Sequence, residues 1–165
     1  MTGLNAAFDV LLQLCAAIAA AIFGVTAVAI SINVVLRNSA GTTIFGLLDA
    51  VEYGLLAATF LAAPWVLWKN AHVTIDLLTA NLPAAGARLL ARLVSALGCV
   101  LSATFLWFAV QAALASAARG SMIRTAFVVP EWLALSAAPI GFALISVEFL
   151  RQMLRPTITH DLTGL

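Results

Sequence analysis

The amino-acid sequence predicts an all-α integral membrane protein that forms a single membrane domain over residues 1–165. We expect four transmembrane helices, with an amphipathic interfacial segment between the second and the third. The composition is the first reason: 64% of the residues are hydrophobic, 9% are charged, and the mean hydropathy is +1.10. Soluble domains hold roughly 25% charged residues, because their surface must be wetted by water. The second reason is that the few charges separate apolar stretches long enough to cross a bilayer, which takes about 20 residues.

The first two spans follow from the positions of these charges. Residues 10–36 carry no charge and form the first predicted span. This stretch is too long for the apolar core of a secretory signal, and no Lys or Arg precedes it, so we expect it to be retained. The second span is predicted at residues 43–68, with Asp49 and Glu52 in its first turns, where acidic side chains complement the helix N-terminus.

The second half of the chain is predicted to contain two further spans, at residues 93–118 and 125–150. Residues 75–92 connect spans two and three, and there leucines alternate with Arg88 and Arg92, which are spaced i,i+4. This pattern fits an amphipathic segment in the headgroup region. Extension of the third helix into water explains the same pattern equally well, so both interpretations stay open.

The basic residues predict the orientation of the chain. Five lie on the side that holds both termini and three on the other, so the positive-inside rule puts both termini in the cytoplasm. The five are Lys69, Arg88, Arg92, Arg151 and Arg155. Trp65, Trp68 and Trp132 fall near predicted span ends, where indole rings favour the membrane interface. We expect these three tryptophans, with Arg88 and Arg92, to act as interfacial anchors.

Several function classes are disfavoured by what the sequence carries. A net charge of +1 is unlike that of a nucleic-acid-binding protein, which shows a basic face. Cys15 and Cys99 lie within apolar spans and lack a CxxC partner, so we expect buried free thiols. No acid or histidine falls at mid-span, where proton relays and ion pathways normally place one. We therefore predict no enzyme, no metal and no cofactor in this chain.

Three segments resemble a known family in their order and spacing. These are SINVVLR at residues 31–37, KNAHVTID at residues 69–76 and VPEWLALSAAPIGFALISVEFL at residues 129–150. Together they are similar to the small, DctQ-type membrane subunit of tripartite ATP-independent periplasmic (TRAP) transporters. The resemblance covers nearly the whole chain, and its most specific element is the basic-x-x-His-Val-x-Ile-Asp pattern.

The resemblance implies a function and partners. The chain would be a scaffold subunit in a bacterial or archaeal inner membrane. Its partners would be a large multi-span subunit, a periplasmic substrate-binding protein and the membrane lipid. The transporter would import an organic acid with sodium, and the sodium and substrate sites would lie in the large subunit. A stand-alone four-helix exporter of small molecules or cations is the alternative, although such carriers need a membrane-embedded acid.

Four residues are candidates for structural or partner contacts. Arg37 is expected to pair with Glu52 at the outer interface, or to be a plain flanking arginine. His72 and Asp76 are expected to organise the cytoplasmic turn after span two. The i,i+3 spacing of Asp49 and Glu52 also permits a cation site, but pairing at the interface is the stronger interpretation.

Overall fold

The computed structural model describes residues 2–79 and 84–154, and these form helices and one small hairpin. In chain order the elements are α1 (Thr2–Ala40), α2 (Leu47–Thr79), α3 (Ala84–Arg119), β1 (Met122–Arg124), β2 (Val128–Pro130), α4 (Glu131–Leu135) and α5 (Ala137–Leu154). Four helical stretches are long and apolar enough to cross a membrane: Asn5–Ala40, Leu47–Lys69, Leu89–Arg119 and Glu131–Leu154. The prediction of an all-α membrane protein with four spans is therefore confirmed.

The four spans form a row in the order α1, α2, α5, α3. α1 packs on α2, α2 packs on α5, and α5 packs on α3. The chain therefore inserts its last helix between the second and the third. The bundle has two ends along the helix axes. We call the end at which α1 finishes and the hairpin lies the hairpin end. The opposite end, where α1 begins and α5 finishes, is the Arg151 end.

α3 stops at the hairpin end in a Schellman motif centred on Gly120. The Gly120 amide donates to the carbonyl of Ala117 at 3.1 Å, and the Ser121 amide donates to that of Ser116 at 3.2 Å. Gly120 has φ +62°, a left-handed conformation that glycine adopts without steric cost. The chain therefore leaves the helix directly into the β-hairpin.

The β-hairpin replaces the predicted start of the fourth span. Met122 pairs with Pro130, Ile123 with Val129 and Arg124 with Val128, in antiparallel register. Residues 125–130 were expected to be helical because they carry no charge, yet their β-branched and aromatic side chains also favour strands. The fourth span consequently begins at Glu131.

The fourth span is two helices, α4 and α5, separated at Ser136. Pro139 lies in the first turn of α5, where its missing N–H is tolerated because first-turn amides have no partner within the helix. The Ser136 hydroxyl donates to the carbonyl of Leu133 at 2.6 Å. The helical stretch is thus interrupted at Ser136, before the proline itself.

α2 and α5 approach closely where a proline has freed a carbonyl. Pro64 lies inside α2 and cannot donate to the carbonyl of Phe60, four residues earlier. Gly141 of α5 lies against this carbonyl, because an added Cβ would fall 2.8 Å from the Phe60 oxygen. Only glycine permits this separation between the two backbones.

α3 and α5 are joined by small and polar side chains in the middle of the spans. The Ser146 hydroxyl donates to the carbonyl of Phe142 at 2.7 Å, and its oxygen lies 3.0 Å from the hydroxyl oxygen of Ser102. At Gly98, an added Cβ would lie 2.5 Å from the ring of Phe149. These contacts keep polar hydroxyls paired inside an apolar bundle.

The predicted interfacial segment at residues 75–92 divides between two helices. Residues 75–79 end α2 and residues 84–92 begin α3, while residues 80–83 lie outside the described part of the chain. α3 therefore extends back to Ala84, as in the second of the two interpretations. Whether the segment lies in the headgroup region stays a prediction.

Candidate functional site

The first candidate interaction surface is apolar and belongs to the flanking helices α1 and α3. Within the most apolar window of each candidate span, only 11% to 17% of the residues are buried inside the protein. The flanking helices expose many large apolar side chains: Val10, Leu14, Ile18, Val25, Val28 and Val35 on α1, and Leu89, Leu97, Val100, Trp107, Phe108 and Leu114 on α3. These faces are available to lipid or to another membrane protein.

An apolar groove of about 350 Å³ lies between α1 and α2. Small side chains line much of it, among them Ala21, Ala29, Ala50 and Gly54. A Cβ added at Gly54 would make ordinary van der Waals contact, 3.4 Å from Cγ2 of Ile22. Grooves of small residues are what membrane helices use to approach each other.

A charged cluster centred on Arg151 lies at the Arg151 end of the bundle. One guanidinium nitrogen of Arg151 lies 2.8 Å from a carboxylate oxygen of Asp9, and another lies 3.2 Å from Glu148. The Gln152 amide also donates to Glu148 at 3.0 Å, and the ring of Phe8 lies 4.9 Å from the Arg151 guanidinium carbon. The cluster joins the start of α1 to the end of α5.

Glu148 is the buried member of this cluster, with 3% of the residue exposed. A buried carboxylate is costly unless cationic and hydrogen-bonding groups surround it, and Arg151 and Gln152 supply such groups. The spacing i,i+3 and i,i+4 from Glu148 puts both partners on its side of the helix. That spacing is a signal the sequence analysis missed, whereas the contact with Asp9 has no counterpart in sequence spacing.

At the hairpin end, two carboxylates hold the hairpin to the helices. Asp49 of α2 accepts a hydrogen bond from the backbone amide of Ala126 at 2.6 Å. Glu131 accepts one from the buried Ser116 hydroxyl of α3 at 2.8 Å. Asp49 is therefore committed to the hairpin, and this role was not predicted. Among the residues that the structure describes, no cluster of three or more His, Cys, Asp or Glu side chains could hold a metal ion.

The predicted partners Arg37 and Glu52 are both exposed and are not brought together. Among the side chains that the structure describes, the ion pairs all involve Arg151. Asn33 on α1, one turn before Arg37, instead accepts a hydrogen bond from the amide of Ile44 at 2.9 Å. This bond holds the α1–α2 connection against the end of α1. Any contact of Arg37 or Glu52 with a partner protein stays a prediction.

His72 and Asp76 lie on the last turns of α2 by their backbone, and their side chains lie outside the described residues. The same holds for the side chain of Arg88 on α3. Arg92, one turn further along, is exposed. The proposed turn role of the histidine–aspartate pair is therefore not addressed by any contact.

The tryptophans predicted as anchors lie at both ends of the spans. Trp65 and Trp68 are half-buried on α2, and Nζ of Lys69 lies 4.5 Å from the centre of the Trp68 ring. Trp132 is exposed on α4 at the hairpin end. Trp107, which the sequence analysis did not single out, is exposed within the third span.

Comparison with known proteins agrees with the sequence motifs. The family model of the DctQ component of the tripartite ATP-independent periplasmic transporters matches residues 26–158. This range includes the last part of α1, from residue 26 to its end at Ala40, and every later element. No similar sequence is found among curated proteins, and no solved structure matches the chain.

Proposed function

The chain belongs to the family of TRAP transporter small components, and from this premise we propose that it is the membrane scaffold of a sodium-coupled importer of an organic acid. It would brace a large multi-span subunit that carries the substrate and sodium sites. A periplasmic binding protein would deliver the substrate. Families of this kind are transporter components of the inner membrane and not enzymes.

The observation that supports a scaffold is the open row of helices. Each inner helix packs mainly on two neighbours, while α1 and α3 present broad apolar faces that the described residues leave uncovered. A large membrane partner offers the most extensive surface to cover them. Van der Waals packing and small residues drive such association within lipid.

We place the hairpin end on the periplasmic side and both termini in the cytoplasm. The support is the distribution of Lys and Arg residues, which favours the side of the termini. In this orientation the exposed Arg92, with Arg88, Trp65 and Trp68, would anchor the cytoplasmic ends of the spans. Trp132 would anchor the periplasmic end.

Co-purification and uptake test the scaffold function. The chain and the large subunit should purify together, and proteoliposomes should take up an organic acid along an inward sodium gradient only when both subunits and the binding protein are present. Sodium-driven uptake or cation export by this chain alone would contradict the proposal. A missing dependence on sodium would reject the coupling but leave the scaffold role standing.

The groove between α1 and α2 is the proposed seat for a helix of the large subunit. Ala21→Leu fills the groove and should reduce co-purification of the large subunit several-fold. Ala20→Leu is the matched control, because Ala20 is an exposed neighbour on α1 that does not line the groove. Equal recovery of the large subunit with both variants would show that the interface lies elsewhere on the row of helices.

A further inference from the structure

The β-hairpin holds an apolar and cationic face outward. Directly paired residues of antiparallel strands share a face, so Arg124 and Val128 point the same way, and Met122 joins them two residues along β1. Val128 is 69% exposed and Met122 is 51% exposed, and Arg124 is exposed between them. Ile123 lies on the other face and is half-buried.

This exposure belongs to a hairpin that is fixed to the helices. The Asp49 carboxylate holds the amide of Ala126 at its tip, and the Glu131 amide donates to the carbonyl of Ser121 at 3.0 Å at its base. The ring of Phe127 packs edge-on against Phe45, with 6.3 Å between ring centres. The apolar face is thus presented to a partner by a defined backbone.

The apolar surface continues onto the neighbouring connection. Phe45 is 78% exposed and Leu48, in the first turn of α2, is 70% exposed. Through the contact between Phe45 and Phe127, this pair adjoins the hairpin. The hairpin end therefore carries a contiguous set of large exposed apolar groups outside the packed row.

The depth of the hairpin follows from the charges at the two ends of the spans. Glu131 and Arg151 are about 20 residues apart on the fourth span, or about 30 Å of helix. Asp49 and Lys69 have the same separation on α2. This length equals the hydrocarbon thickness of a bilayer, about 30 Å. The hairpin starts at the Glu131 level and, with strands of about 10 Å, lies within the headgroup layer.

The charges at this end favour phosphate. Arg37, Arg119 and Arg124 are exposed, and no ion pair within the described residues involves them. The acids Asp49 and Glu131 instead accept hydrogen bonds from within the chain, and Glu52 is the exposed acid at this end against the three arginines. A guanidinium flanked by apolar side chains matches the boundary between phospholipid phosphates and acyl chains, because it can bind phosphate while its neighbours enter the apolar layer.

We infer that the hairpin is a membrane-surface anchor: Met122 and Val128 enter the headgroup–acyl boundary of the adjacent leaflet, and Arg124 binds a phospholipid phosphate. The inference goes beyond the scaffold function and does not depend on it. The anchor would fix the depth of α3 and α4 and limit sliding of the helix row along the bilayer normal.

Spin-label accessibility tests the anchor on the full-length chain in nanodiscs of phosphatidylethanolamine and phosphatidylglycerol. Single labels at Met122→Cys and Val128→Cys are placed in a Cys15→Ala, Cys99→Ser background. Both should collide readily with oxygen and poorly with a water-soluble nickel chelate. Thr125→Cys, at the exposed hairpin turn, is the matched control.

Charge dependence provides the second measurement. Replacing phosphatidylglycerol by phosphatidylcholine, or Arg124 by Gln, should lower the ratio of lipid-contacting to water-exposed label at Val128 about fivefold, as expected for one charge at an anionic surface. Arg119→Gln, on the helix end, is the control and should leave the ratio nearly unchanged. Equal nickel access at Met122, Val128 and Thr125 would overturn the anchor. Protection that arises only after adding the binding protein or large subunit would also overturn it, in favour of a protein contact.

Discussion

The two ends of the helix row are held by different kinds of contact. At the Arg151 end, charged side chains from α1 and α5 meet directly around Arg151. At the hairpin end, Asp49 accepts a hydrogen bond from a backbone amide, and Glu131 accepts one from a serine hydroxyl. The first arrangement joins helices that α2 separates in the row, and the second fixes a local turn. We expect the Arg151 end to contribute more to the stability of the row.

The largest effect is expected from a substitution that removes the contacts of Arg151. Arg151→Ala removes a cation that contacts both the buried Glu148 and Asp9, and we expect unfolding to become easier by about 3 kcal/mol, as when one member of a buried ion pair is removed. The measurement is the free energy of unfolding in mixed micelles. Arg119→Ala, at the exposed end of α3, is the control and should change it little.

A double variant separates the charge from the packing of Arg151. If the burial of Glu148 causes the loss, Arg151→Ala combined with Glu148→Gln should cost less than the sum of the two single variants. Strictly additive losses would contradict the assigned role of the charge pair.

The next largest effect is expected at the contact between α2 and α5, in the middle of the row. Gly141→Ala places a Cβ against the Phe60 carbonyl, and overpacking of this kind costs about 1–3 kcal/mol. Gly24→Ala is the matched control, since nothing lies within 4 Å of the added Cβ. A helical alanine there should be neutral or slightly stabilising in the same unfolding measurement. Equal effects of the two substitutions would contradict the close approach of α2 and α5.

A smaller and more local effect is expected at the hairpin end. Asp49→Ala removes the acceptor of the Ala126 amide, a hydrogen bond to a charged group that contributes about 1.5 kcal/mol. Hydrogen exchange at Ala126 should accelerate about tenfold, while amides within α5 keep their protection. Glu52→Ala, one turn away and exposed, should leave this exchange rate unchanged. Loss of protection in all four spans would show that the effect of Asp49→Ala is not confined to the hairpin end.

The smallest effect is expected from substituting Asp9, the second acidic contact of Arg151. The Asp9 and Arg151 side chains are 32% and 26% exposed, and ion pairs with this much solvent contact contribute about 0.5–1 kcal/mol. Asp9→Asn should therefore cost much less than Arg151→Ala, and added salt should reduce its effect. If the two variants cost the same, Asp9 and not Glu148 would be the main partner of Arg151.

The sequence predicted the spans well because hydrophobicity along one dimension is enough to identify a membrane helix. It failed at residues 125–130, since an absence of charge does not distinguish a helix from a strand of Phe and Val residues. It also missed the role of Asp49, for which the sequence suggested an interaction with the helix dipole, pairing at the interface or a cation site with Glu52. The partner of Asp49, the Ala126 amide, is 77 residues away in the chain.

The sequence by itself determined the environment, the number of membrane spans and the family, because these depend on composition, on apolar stretches between charges and on ordered motifs. Only the tertiary structure decided that α5 inserts between α2 and α3, that Arg151 faces both Glu148 and Asp9, and that the hairpin presents Arg124 beside apolar groups. The physical reason is that these features depend on short distances between distant segments. Gly141 matters because Pro64 has left a carbonyl facing it, and nothing in the spacing of the two residues predicts that meeting.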